Sequence, residues 1–183
     1  CCRYRWITLH RRRSRAVNPL VPLVTTIASK GDICSMSSEV EVRVVGPKDW
    51  RQVAESFADY NYENCFSYAS AIASRSGSSS VLLQVQSASD TIGAAAVRIK
   101  TIPLIGRGIA YISSGPLYRS VAGNEDHHSN LRRLLSALRA KLVDEDGHIL
   151  IVRLPIVPAR ECAALRDVFV ASGFSPTPLV RDY

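Results

Sequence analysis

The chain has 183 residues, 46% of them apolar and 21% charged. That suits one domain, or a domain with a tail, whose core buries about two thirds of the unfolded surface. The balance excludes global disorder, a collagen-like chain, a coiled coil and a disulfide mini-protein. No apolar run approaches the roughly 18 residues of a membrane-crossing helix. The formal charge of +7 is unevenly placed: residues 1–35 hold seven Lys or Arg against one acidic residue, and the rest is nearly neutral. The body therefore shows no electrostatic footprint for DNA or RNA.

Residues 1–35 read as a leader or tail outside the native fold. They are Arg-rich, then apolar and broken by Pro19 and Pro22. The single methionine, Met36, stands where regular alternation begins. Translation from Met36 is the simplest account, leaving residues 1–35 as upstream read-through. The rival is a secretory signal with Arg11-Arg12-Arg13 as its basic region and residues 17–28 as its apolar one. A nucleic-acid-binding role confined to this basic leader is a third alternative. Cys65 and Cys162 are 97 residues apart with no paired spacing. They read as reduced thiols of a cytoplasmic protein, with a disulfide between them as the rival.

In the body, Glu39 to Val44 alternates as a half-buried strand. Pro47 and Asp49 suit the first turn of a helix, and Trp50, Val53, Ala54 and Phe57 share its face. Tyr60 to Asn64 is a polar link, after which Phe66, Ala69, Ile72 and Ala73 mark a second helix. Three turn-linked strands follow, at 81–86, 92–100 and 109–113, as in an antiparallel meander. In the second of these, Ala95, Val97 and Ile99 take one face and Arg98 and Lys100 the other. Ser129 can cap the next helix, whose stripe is Leu131, Leu134, Leu135, Leu138 and Leu142. The continuous apolar run His148 to Leu154 predicts a central strand. Pro158 opens a last helix, with Ala164, Leu165, Val168 and Phe169 inward and Gly173 as its terminator. A final strand is expected at Leu179-Val180. The order is β-α-α-β-β-β-α-β-α-β, an α/β or α+β chain with a mixed sheet.

Several ordered motifs add to this. They are Tyr60-Asn61-Tyr62-Glu63, Ser67-Tyr68-Ala69, Ile92-Gly93-Ala94 to Val97-Arg98, Gly106-Arg107-Gly108-Ile109-Ala110-Tyr111, Gly115-Pro116-Leu117, Leu154-Pro155 and Gly173-Phe174. Together they resemble the first domain of FemAB-like proteins of the GNAT acyltransferase superfamily, which includes peptidoglycan-bridge aminoacyltransferases. The resemblance spans about residues 40–183. It implies a mixed, mainly antiparallel sheet flanked by helices. It also implies that 36–183 is the first of two GNAT-like domains, cut short at its C-terminal end, with a second domain as missing partner. The implied activity is N-acyl or aminoacyl transfer to a small-molecule or peptide amine, such as a cell-envelope precursor. The donor would be acyl-CoA or aminoacyl-tRNA, with no tightly bound cofactor. The alternative is a non-catalytic acceptor-binding domain that needs its second half.

Acyl transfer from an activated donor asks for positioning more than for side-chain chemistry. It needs donors for the oxyanion and a proton for the leaving group. Tyr111 is the candidate proton donor, with strand packing as the competing role. Arg98 is a candidate contact for an anionic acceptor, with a solvated sheet face as the alternative. On the resemblance, Tyr68 would line the acceptor cleft with Arg75, Arg98 and Tyr111, Arg75 lying near the place of the family's basic cleft residue. Gly115 allows close backbone approach, or simply stops a strand. Gly106-Arg107-Gly108 precedes a strand, whereas a phosphate loop needs a helix N-terminus behind it. No metal site is expected, since His127-His128 has no partner ligands at metal spacing.

Overall fold

The computed structural model describes residues 5–8, 40–88, 90–104, 106–123 and 126–177. Seven strands form one sheet: β1 (Arg5–Thr8), β2 (Val40–Val44), β3 (Ser79–Ser87), β4 (Asp90–Thr101), β5 (Gly108–Ser113), β6 (Ile149–Arg153) and β7 (Ser175–Thr177). The helices are α1 (Pro47–Glu55), α2 (Phe66–Arg75), α3 (His127–Arg139) and α4 (Ala159–Ala171). A 3-10 turn, Tyr62–Asn64, joins α1 to α2, and a π-helical turn, Ala140–Glu145, extends α3. Strand order across the sheet is β2-β3-β4-β5-β6-β1-β7. Every neighbouring pair is antiparallel except β5 and β6. The mixed, mainly antiparallel sheet flanked by helices is thus the one expected.

Strands β3, β4 and β5 are consecutive antiparallel neighbours joined by short turns, whereas α1 and α2 lie between the antiparallel pair β2 and β3. The parallel β5–β6 step needs a crossover, which α3 and its π turn supply. The leucine stripe does what its spacing predicts: Leu131, Leu134, Leu135 and Leu138 are fully buried and Leu142 nearly so. Each such burial contributes about 1.5–3 kcal/mol. They pack with Val97, Ile112, Leu150, Val152 and, from α4, Leu165, Val168 and Phe169. Gly93 of β4 lets α3 come close, since a Cβ there would lie 2.3 Å from a Leu134 methyl. On the other face, α1 and α2 close a second cluster of Trp50, Ala54, Phe57, Ala69, Leu82, Ala94, Ala96 and Leu117.

Two expectations are corrected. Residues 1–35 were set outside the fold, yet β1 lies between β6 and β7, with Arg5 opposite Arg153 and Ile7 opposite Ile151. The physical reason is Trp6, which is 1% exposed and stacks on Phe169 at 4.9 Å between ring centroids. Thr8, two residues on, is buried on the same face. Second, α3 begins earlier than Ser129: Asp126 is its cap and accepts from the His128 N–H. An Asp there also complements the positive end of the helix dipole. The last described strand is Ser175–Thr177, which starts two residues after the Gly173 terminator (φ +83°). The expected strand at Leu179-Val180 lies outside the described residues. Pro176 is tolerated because β7 is an edge strand. Cys65 and Cys162 are free thiols, so the disulfide alternative falls.

Candidate functional site

The parallel pair is where the sheet changes direction. Ligands of α/β sheets sit beyond the carboxyl ends of strands at such switch points. β5 ends at Ser113 and β6 at Arg153, which are partners in register, as are Tyr111 and Ile151. Arg98 of β4 pairs with Tyr111. Partners across a ladder point to one face. Arg98, Tyr111, Ser113 and Arg153 therefore share the face that α1 and α2 cover further along the sheet.

There the side chains form a polar cluster. The Arg98 guanidinium donates to Ser113 Oγ at 3.1 Å and lies 4.7 Å from the centre of the Tyr111 ring. Arg153 donates to Glu63 Oε2 at 2.6 Å, an ion pair in which Glu63 is only 16% exposed. Burial works against the Arg153 charge. The Tyr111 phenol, Glu63 and Tyr68 outweigh it, so the Arg153 pKa is raised. Tyr62 stands edge-on to Tyr68 at 5.3 Å between centroids, and the Glu63 charge beside it raises its phenol.

The 3-10 turn that brings these groups in is locally specified. Asn61 caps it by accepting from the Glu63 N–H at 2.9 Å, and Asn64 returns a bond to the Asn61 N–H at 3.3 Å. Asn64 is 1% exposed. Its amide donates to the carbonyls of Ser113, at 3.4 Å, and Ser114, at 3.2 Å. Its own carbonyl accepts from Trp50 Nε1 at 2.7 Å. Ser114 takes φ +52°, a conformation costing a non-glycine residue of order 1 kcal/mol. The Gly115 N–H reaches the Arg153 carbonyl at 3.3 Å. A Cβ on Gly115 would come within 3.4 Å of both Asn64 Nδ2 and Ile112 Cγ2.

Beyond Gly115 the chain is held by a carboxylate. Asp59 accepts from the N–H groups of Tyr118, at 3.1 Å, and Arg119, at 3.3 Å. Burial raises its pKa against the pull of those two donors. Arg119 also bonds Tyr118 Oη and, on α4, Glu161. These bonds pin the segment leaving β5.

Of the expected site residues, the structure brings Tyr68, Arg98, Tyr111 and Gly115 to this end of the sheet. Arg75 is exposed in the last turn of α2, about 10 Å along the helix from Tyr68. None of the described hydrogen bonds or ion pairs joins it to the others. Arg107 packs against Gly147 at the amino end of β5, away from the cluster. Glu63, Asn64, Ser113 and Arg153 were not anticipated. The one sequence signal was the Asn61–Asn64 spacing of a capping box. A separate groove of about 270 Å³ lies beside the start of α3, lined by Ser87, Asp90, Ile92, Asp126, Ser129, Asn130 and Arg133. Among the described residues no group of His, Cys, Asp or Glu could hold a metal ion, and no helix is long and apolar enough to cross a membrane.

No protein-family model and no curated protein matches this chain. Among solved structures, it is similar to a provisionally named acetyltransferase from the GNAT family of Novosphingobium aromaticivorans DSM 12444. Identity is 12% and the TM-score 0.43. The match covers 96% of this chain and 59% of that one, so the chain spans less than two thirds of the protein it matches. At that similarity the likeness bears on neither activity nor substrate.

Proposed function

We propose that the protein is an N-acyltransferase of FemAB-like GNAT type, moving an acyl group from an activated donor to an amine that also bears an anionic group. The observation behind this is the cluster at the carboxyl ends of β5 and β6, where Arg98, Tyr111 and Ser113 face the Glu63–Arg153 pair. Arg98 binds the acceptor's anion, a small molecule or a peptide carboxylate. Tyr68 and Tyr111 line the cleft and Arg75 marks its far end, while Gly115, buried against Asn64 and Ile112, lets the chain turn closely at the end of β5. The amine nitrogen attacks the donor carbonyl, the carbon–sulfur bond of a thioester breaks, and the departing thiolate takes a proton while the new amide loses one. Tyr111 Oη is the group that supplies the proton, and backbone N–H groups at the end of β5 stabilise the oxyanion. The nearly neutral body favours acyl-CoA over aminoacyl-tRNA as donor, since tRNA backbone contacts call for basic patches.

A second reading keeps the acceptor site but moves the transfer step to a second domain. It is favoured by Ile109, which is 40% exposed and lies two residues from Tyr111 on the same face of β5. A further domain would cover it. The test uses the purified chain with acetyl-CoA and matched amines with and without a carboxylate, following free thiol. Amine-dependent thiol release is expected, with Arg98→Ala raising KM about tenfold or more for the carboxylate-bearing amines only. Thiol release that no amine accelerates would contradict catalysis by this domain alone. Tight binding of the carboxylate-bearing amine would then favour the second reading.

A further inference from the structure

We propose that Asn64 is a positioning residue that holds the end of β5 in the shape required for transfer, an inference that rests on the transferase reading above. Three observations converge on it. Asn64 is almost wholly buried, and its side-chain NH2 donates to the carbonyls of Ser113 and Ser114, 49 and 50 residues away. Ser114 takes a left-handed conformation, one that persists only where its surroundings over-determine it. From the opposite side the Gly115 N–H is tied to the Arg153 carbonyl. The end of β5 is thus gripped between Asn64 and β6.

The neighbour of Asn64 completes the device. Glu63 holds Arg153 at the end of β6, while Asn64 holds Ser113 and Ser114 at the end of β5. One short turn therefore staples the two parallel strands at the point where they would otherwise separate. Ser113 in turn accepts from Arg98, whose guanidinium also lies 4.7 Å from the centre of the Tyr111 ring, so the candidate acceptor-binding arginine keeps a second contact when the β5 end shifts. The turn itself cannot slide, because Trp50 Nε1 holds the Asn64 carbonyl and Asn61 caps the turn. Asn64 touches no part of the acceptor in this scheme; it acts through the backbone it fixes.

Asn64→Asp keeps the size and the acceptor for the Asn61 N–H but turns a carboxylate oxygen toward two carbonyls. With acetyl-CoA and the carboxylate-bearing amine, kcat is expected to fall about 100-fold, the scale of a 1 Å misplacement. KM for the amine is expected to stay within about twofold, because Arg98 and the tyrosines remain. The double variant Asn64→Asp/Ser114→Gly should recover about tenfold of kcat, since glycine adopts the left-handed conformation without side-chain strain. If Asn64→Asp does not fold, Asn64→Ser, neutral and smaller, should show the same kcat-against-KM split. A folded variant with unchanged kcat overturns the proposal. So does a loss that tracks a lowered melting temperature and gains nothing from Ser114→Gly. Wild-type protein without any amine-dependent thiol release overturns both this proposal and the transferase reading, whereas active wild type with unaffected variants overturns this one alone.

Discussion

The two faces of β5 and β6 differ residue by residue. Ala110, Ile112, Leu150 and Val152 point into the cluster under α3 and α4 and are fully buried. Tyr111, Ser113, Ile151 and Arg153, the alternate residues of the same strands, are only partly covered on the opposite face. There α1 and α2 close over β3 and β4, and the polar cluster begins where their cover stops. The closed face is apolar and close-packed, so its residues serve stability. The open face keeps two arginines, three tyrosines and a carboxylate in partial contact with solvent. Such an arrangement contributes little to folding, and this face carries the proposed acceptor site.

Substitutions can break that comparison. On the closed face, Trp6→Ala removes a ring stacked on Phe169 and should lower stability by about 3–5 kcal/mol. Chemical denaturation reads this, and a change under about 1 kcal/mol would place β1 outside the cooperative core. Leu135→Ala, beneath α3, should lower stability by about 2–5 kcal/mol and leave turnover per folded molecule unchanged. On the open face, Tyr111→Phe should shift stability by no more than about 0.5 kcal/mol, yet lower kcat by about 100-fold if its hydroxyl returns the proton.

Asp59 offers a pH test between the two regions. Its folded pKa is raised, chiefly by burial. Relative to an Asp59→Asn chain, its contribution to stability is therefore greatest below the unfolded value near 3.8 and falls as pH rises through the folded value. Melting temperatures of the two chains, compared from acid toward neutral pH, should converge or cross in that direction. A difference independent of pH would mean that the carboxylate is not shifted. The smallest effect belongs to Arg75→Ala, expected to raise KM about twofold for extended acceptors alone; an equal change for short ones would remove Arg75 from the cleft.

The closed face was legible because it is periodic. The leucine stripe of α3 and the alternation of β4 each state their burial in a single window of sequence. β1 was hidden because the partner that buries Trp6 is Phe169, far along the chain, while the segment around it is rich in arginine. The open face was legible only in part. Arg98 and Tyr111 stood out as a polar and an aromatic residue at alternating positions. Arg153 did not, because its carboxylate partner Glu63 is 90 residues away. Asn64 gave only the spacing of a cap with Asn61 and no sign of its burial, since a buried asparagine and a solvated one look alike in a polar link.

The most direct measurement maps binding onto the backbone of an isotopically labelled chain by titration with acetyl-CoA and then with a carboxylate-bearing amine, reading amide chemical shifts. The expected result is a set of changes confined to the ends of β5 and β6, at Ser113, Ser114, Gly115 and Arg153, and at Glu63 and Asn64. Changes gathered instead around Ser87, Ser129 and Asn130, in the groove beside α3, or no changes at all, would contradict a site at the parallel pair.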